Sequence, residues 1–306
     1  MIKRLGRLGI VAVLVAIPLL TAGWLAVFYT EVGMAKEIGI HDPELSDIEY
    51  EALPQAVIDD AVELAAEFFG NSKEKIQDFV DQLLATYVEA KDTDVVVLFN
   101  SGGWGWNLTL ETPGWASILD GIKSELDTLG YHSVVLNYRR TSSGIRGCMT
   151  EFIEAVTRYP HKARELASRV EFLSSHIPGL MIIVAGESTG TVISDKAMGI
   201  LKDNSHVYSI QTGTPFWHEP TALDRTLLMN SNGQGIDTFS YGNVPVMVWS
   251  TVRGWFGLTP ADENPGNILS WLKAPGHDYS WQYPGVCNEV VGFLELHFQD
   301  KKNQQS

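Results

Sequence analysis

The sequence predicts an α/β chain: a doubly wound, mostly parallel sheet preceded by an N-terminal membrane-spanning helix and a helical hairpin. Three observations carry this. From Asp92 onward, short apolar runs alternate with helix-like stretches, the order that a parallel sheet with crossover helices requires. The apolar runs are near-continuous rather than alternating, which indicates strands covered on both faces. The chain has 306 residues without repeats or low-complexity tracts, and the ~200 in the alternating region suit one domain.

The N-terminus differs from the rest. "MIKRLGR" carries Lys3, Arg4 and Arg7, and the chain then runs from Leu8 to Tyr29 without one charge. At ~1.5 Å per residue this run is about 33 Å long, enough for a hydrocarbon core of ~30 Å. Pro18 is tolerated in a membrane helix. A cleaved secretory signal is the alternative, since "LLTAG" offers small residues, but such signals have a shorter apolar centre of ~7–15 residues. Residues 1–30 therefore read as a signal-anchor. In both cases the basic flank stays inside and Glu31 onward lies outside.

The 22 Lys and Arg, three of them in that flank, face 37 Asp and Glu. An acidic surface repels phosphate backbones, which excludes nucleic acid as a partner, and it disfavours adhesion to anionic lipid heads. Cys148 and Cys287, the two cysteines, exclude a disulfide scaffold and a cysteine-rich metal site; an oxidising exterior would permit one bridge.

The elements follow in order. Residues 31–91 hold an acidic connector and the hairpin. Ile58, Val62, Ala65, Ala66 and Phe69 form the apolar stripe of its first helix, and Ile76, Phe79, Val80, Leu83, Leu84 and Tyr87 that of its second. Gly70 stops the first, and Asn71 with Glu74 reads as a capping box for the second. The hairpin needs a partner surface, most simply the domain at 92–306. In that domain "DVVVLF", "HSVVLNY", "LMIIVAG", "HVYSIQTG" and "VPVMVWS" read as strands. "ASILDGIKSELDTLG", the stretch 150–179 with a break at Pro160, "TGTVISDKAMGIL" and "EVVGFLELHF" read as helices.

The chemistry concentrates at "GESTG", residues 186–190, between a strand and a helix. Gly186 and Gly190 remove side chains that would clash in a sharp strand-to-helix turn. Ser188 is then raised at the apex, with helix-start amides aimed at the same spot. On this motif in this context, the stretch from about Asp92 to the C-terminus resembles an α/β-hydrolase. The resemblance implies a nucleophile at Ser188 and an oxyanion hole from the Thr189 amide and the glycine-rich loop "NSGGWGWN". In that loop Gly102, Gly103 and Trp104 stand where the family's donor lies, although Asn100-Ser101 replaces the His-Gly of many members.

The family order of serine, acid, histidine places the base late in the chain. His277, after Pro-Gly in "KAPGHDYSW", fits better than His206, His218 or His297. The acid should follow the strand "VPVMVWS". The family often has an aspartate before a segment like "GLTP", where this chain has Phe256. Asp262 is the choice, with Glu219 and Asp237 as alternatives from earlier in the chain. Residues 212–244 match the place of a cap insertion, with "TALDRTLLMN" as its helix and "SNGQG" as a hinge. Trp104, Trp106, Trp115, Trp217 and Trp255 fall in expected loops near strand ends and would build an apolar mouth. Asn107-Leu108-Thr109 matches a glycosylation sequon, of consequence only in a secretory host. No zinc spacing, phosphate loop or dinucleotide fingerprint appears, so no metal or cofactor is implied.

The expectation is a membrane-anchored serine hydrolase acting on a small-molecule or lipid ester. An envelope acyltransferase with the same triad and a non-catalytic binding protein of the same fold are the rivals.

Overall fold

The computed structural model describes residues 47–103, 113–138, 151, 153–260, 266–269 and 272–298. The N-terminal apolar run, Trp104, Trp106, the Asn107 sequon, Cys148 and Asp262 lie outside the described residues. Among those described, no helix is long and apolar enough to cross a membrane.

Helix α1 (Asp47–Glu51) leads into the hairpin of α2 (Gln55–Phe69) and α3 (Lys73–Ala90). Gly70 ends α2 at φ 58°, where a Cβ would be strained, as its position predicted. The buried stripe of α2 is Val57, Ala61 and Ala65, and Val62 is exposed, so the helix is rotated from the expected face. Ser72 is the N-cap of α3 and makes no side-chain cap bond, so the expected Asn71–Glu74 box does not form.

Five parallel strands form the sheet: β1 (Val95–Asn100), β2 (Ser133–Asn137), β3 (Met181–Glu187), β4 (Val207–Thr212) and β5 (Thr226–Met229). Their spatial order is β2-β1-β3-β4-β5. The three central connections are carried by α4 (Pro113–Thr128), α5 (Pro160–His176) and α6 (Thr189–Ile200). Every residue of β1 is buried, as the continuous apolar run predicted. Alternation decides which face each side chain serves. Val96, Leu98, Ile182 and Val184 meet the hairpin, α5 and α6, whereas Val95, Val97, Phe99 and Ile183 meet α4 and the C-terminal helix α8 (Pro284–His297).

Two expected elements exchange type. "VPVMVWS" is helix α7 (Val244–Trp255), not a strand. Pro245 explains this: it has no N–H for a ladder but suits a first helical turn. The sheet's last strand is instead β5, inside the segment read as a cap helix, where Ser209 to Thr212 pair with Thr226 to Met229. Residues 226–229 thus belong to the sheet rather than to a cap. A short antiparallel hairpin, β6 (Asn267–Leu269) and β7 (Leu272–Lys273), follows α7.

Candidate active site

In the order 2-1-3-4-5 the chain reverses direction of winding between β1 and β3, and ligands of open α/β sheets bind outside the carboxyl ends of strands at such a point. Here those ends deliver Asn100–Gly103 and Glu187–Ser188 side by side.

Ser188 has φ 51° and ψ −122°, a conformation that non-glycine residues rarely adopt and that costs ~1–3 kcal/mol. Local contacts hold it there. Its N–H donates to the Thr212 carbonyl at 2.9 Å, and its carbonyl accepts from Thr191 N–H at 3.0 Å and Thr191 Oγ1 at 2.7 Å. Gly190 is required by a close approach, since a Cβ there would lie 2.2 Å from the Asn100 carbonyl oxygen. Asn100 Nδ2 completes the clamp by donating to the Gly190 carbonyl at 2.9 Å. The serine is at the apex as expected, but it is only 3% exposed and its Oγ has no hydrogen-bond partner. A bond from Ser188 Oγ to His277 is therefore not formed in this state.

The glycine-rich loop after β1 is tied to the elbow on both sides of the serine. Gly102 N–H donates to Glu187 Oε2 at 3.3 Å, and Thr189 Oγ1 donates to the Gly103 carbonyl at 3.1 Å. Gly102 itself lies against Ser188, because a Cβ on it would be 2.9 Å from the serine Cβ. Gly103 and Thr189 thus stand beside the serine; Trp104 lies outside the described residues.

His277 is buried on the turn after β7, and its Nδ1 is 2.8 Å from Asp237 Oδ2. An ionised carboxylate only accepts, so Nδ1 carries the proton and Nε2 presents its lone pair. The ring packs on Gly213: a Cβ there would sit 2.5 Å from His277 Cε1, and φ is +68°. Gly213 follows Thr212, whose carbonyl takes the Ser188 N–H. Serine and imidazole thereby share one corner at the end of β4.

Asp237 is fully buried and richly satisfied. Tyr279 OH donates to Oδ2 at 2.8 Å and Ser240 Oγ at 2.9 Å, while Oδ1 accepts from Phe239 N and Ser240 N at 2.9 and 3.1 Å. Burial by itself pushes this carboxyl up, but the His277 contact and the other donors outweigh it and hold it below the usual range. Burial and the Asp237 charge push the Tyr279 phenol well up, so it is a fixed donor. Asn232, in the segment read as a hinge, braces the loop from outside through Nδ2 to the Asp278 carbonyl at 2.9 Å.

Among the described residues the carboxylate on His277 is thus Asp237, an alternative in the sequence; the chosen Asp262 lies outside the described residues. Glu219 is exposed on the β4–β5 crossover. His218 bonds to the buried Asp195 at 2.9 Å, and His206 is exposed. The three described tryptophans of the expected mouth do not gather around the serine. Trp115 is buried in the core against Phe99 and donates to Thr212 Oγ1 at 3.0 Å, Trp217 packs on the core, and Trp255 is exposed. The aromatic ring on the imidazole is Phe239, 5.0 Å away, with Phe216 behind it at 6.3 Å.

No protein-family model matches the chain, and no curated protein matches it. Among solved structures it is similar to the cutinase of Trichoderma reesei in complex with a C11Y4 phosphonate inhibitor, at TM-score 0.44 and 16% identity over 81% of this chain and 91% of that one. It is also similar to the Lac repressor bound to ONPG in the repressed state, at TM-score 0.26 and 14% identity over 66% of this chain and 51% of that one. At this level of likeness neither neighbour decides what the chain does.

Proposed function

We propose that this chain is a serine hydrolase of the α/β-hydrolase type that cleaves carboxylic esters through an acyl-enzyme on Ser188, held at the membrane by its N-terminal apolar segment. The observation that carries it is the buried 2.8 Å contact between His277 Nδ1 and Asp237 Oδ2, beside a serine in a strained elbow. Asp237 fixes the tautomer and faces the positive charge that forms. His277 Nε2 takes the Ser188 proton as Oγ attacks the ester carbonyl, then returns it to the leaving alkoxide. Water activated by the same imidazole releases the acid and regenerates the serine. The tetrahedral oxyanion is received by the Thr189 amide and an amide of the glycine loop. Gly102 donates to Glu187; the second donor is assigned to Gly103 or Trp104 on the resemblance to the α/β-hydrolase loop. Each such donor is worth ~3–4 kcal/mol in the transition state. Phe239 beside the imidazole supports an apolar acyl or alcohol group.

A non-catalytic binding protein is the second reading, favoured by the buried Ser188 Oγ and its missing bond to His277. Catalytic hydrogen bonds are often formed only when substrate is bound. Labelling with a fluorophosphonate separates the two. The hydrolase reading expects the wild-type protein to be labelled and Ser188→Ala to remain unlabelled, with turnover of a nitrophenyl ester lower by ~10⁶ in the variant. A wild-type protein that is folded but never labelled would establish the binding role.

A further inference from the structure

Helix α7 is built inside out. It buries Met247, Ser250 and Thr251, and Thr251 Oγ1 accepts the Lys273 N–H of β7 at 3.0 Å. Its apolar side chains face outward: Val248 is 55% exposed and Trp249 61%, and in the turn that follows Phe256 is 73% and Leu258 64% exposed. A helix on a water-facing surface orients the other way, and contiguous exposed apolar groups of this size mark an interaction surface. The charge pattern agrees. In a chain of net charge −15, the stretch from Val244 to Pro260 contains no acidic residue and a single charge, Arg253.

We infer that α7 and its following turn lie on a lipid bilayer, with Trp249, Phe256 and Leu258 entering the boundary between headgroups and acyl chains. Large rings at this depth, no carboxylate to desolvate and a hydroxyl face turned to the protein are the features of a helix lying in the membrane plane. The occupant follows from the rest of the chain. The run Leu8–Tyr29 carries no charge on any side, so laid along α7 it would leave its other faces in water. A bilayer satisfies all of those faces, and one membrane can take both apolar surfaces of the chain. A second copy is opposed by self-repulsion between acidic surfaces. The inner side of α7 meets Phe239 and Ala274 through Met247, and Phe239 touches His277, so the contact lies next to the candidate site. The inference does not depend on hydrolysis.

The test uses the full chain with C148S and C287S, carrying an environment-sensitive fluorophore on L258C, reconstituted in phosphatidylcholine vesicles. Acyl-chain-brominated lipid should quench the label roughly twofold, given the ~5–10 Å depth of an interfacial helix. The same label on V62C, exposed on α2, should be unaffected, and adding W249D and F256D should abolish quenching at 258 in protein that still floats with vesicles. S188A should behave as wild type, which separates this result from failure of the hydrolase reading. A label at 258 that brominated lipid does not quench overturns the inference. A blue shift without quenching overturns it too, because it places protein, either a second copy or the chain's own N-terminus, on α7.

Discussion

Asp237 accepts five hydrogen bonds in a site closed to water, and its chemistry is set by donors rather than by exposure. Asparagine would keep its size, but an amide N–H₂ cannot accept from His277 Nδ1 where the carboxylate Oδ2 does, and flipping the amide starves Tyr279 or Ser240. Asp237→Asn should therefore lower ester turnover by about 10⁴, as loss of the orienting carboxylate does in a serine triad. Stability gives an independent readout. The folded carboxyl titrates below its ordinary 3.8, so its stabilising contribution is complete above that value and is lost as pH falls through the depressed one. Melting temperatures of wild type and Asp237→Asn should differ by a constant amount near neutrality. They should converge as the pH falls below that ordinary 3.8 and through the depressed folded value. A gap that widened on acidification would contradict the assignment.

At the scale of elements, the elbow and the end of β1 form one unit because Gly190 lets the Asn100 carbonyl approach. Gly190→Ala puts a methyl 2.2 Å from that oxygen, and the contact is with backbone that cannot swing aside. Overpacking of this kind costs ~1–3 kcal/mol, and here it also tilts the loop that carries Gly102 and Gly103. The variant should lower both the melting temperature and the rate of fluorophosphonate labelling, whereas Gly199→Ala, a helical site whose Cβ meets nothing within 4 Å, should lower neither. The elbow was legible because strand, Gly-x-Ser-x-Gly and helix are contiguous. β1 and β3 were legible as near-continuous apolar runs buried along almost their whole length, and β2 and β4 by their places in the alternation of strands and helices. β5 and α7 were not: "TLLM" has only four residues and the "SNGQG" after it read as the hinge of a cap, while "VPVMVWS" has β-branched residues that outweighed the meaning of Pro245. That exchange also moved the point in the chain from which the acid is counted. Counting from α7 as if it were the last strand leads to Asp262; counting from β5 leads through the Asn232 turn to Asp237.

Across the whole molecule, the sheet separates two cores, and the α2–α3 hairpin closes the one that α5 and α6 share. Its pattern showed an apolar stripe in need of a partner, but nothing in sequence pairs it with α5. The link is Arg169, buried on α5. Its Nη2 donates to Gln82 Oε1 of α3 at 3.2 Å and to Glu165 Oε1 at 3.3 Å, and its guanidinium lies 4.3 Å from the Phe79 ring centroid. Burial pushes the Glu165 carboxyl up, but Lys162 and Arg169 pull it below the usual range, so it is a charge that needs its cations. Arg169→Ala removes the planar cation from between the helices and leaves Glu165 to Lys162 alone, at 3.4 Å. Breaking a buried pair on one side costs ~3–5 kcal/mol, whereas replacing both partners with apolar groups of similar volume is often neutral or stabilising. Urea unfolding should accordingly show a much lower midpoint for Arg169→Ala than for the double variant Arg169→Met/Glu165→Leu. Because this contact lies on the sheet face that carries the hairpin, away from the Asp237–His277 corner, ester turnover per folded molecule should match wild type in both. An equal loss of turnover in the double variant would mean that the hairpin helps to set the geometry of the site as well as closing the core.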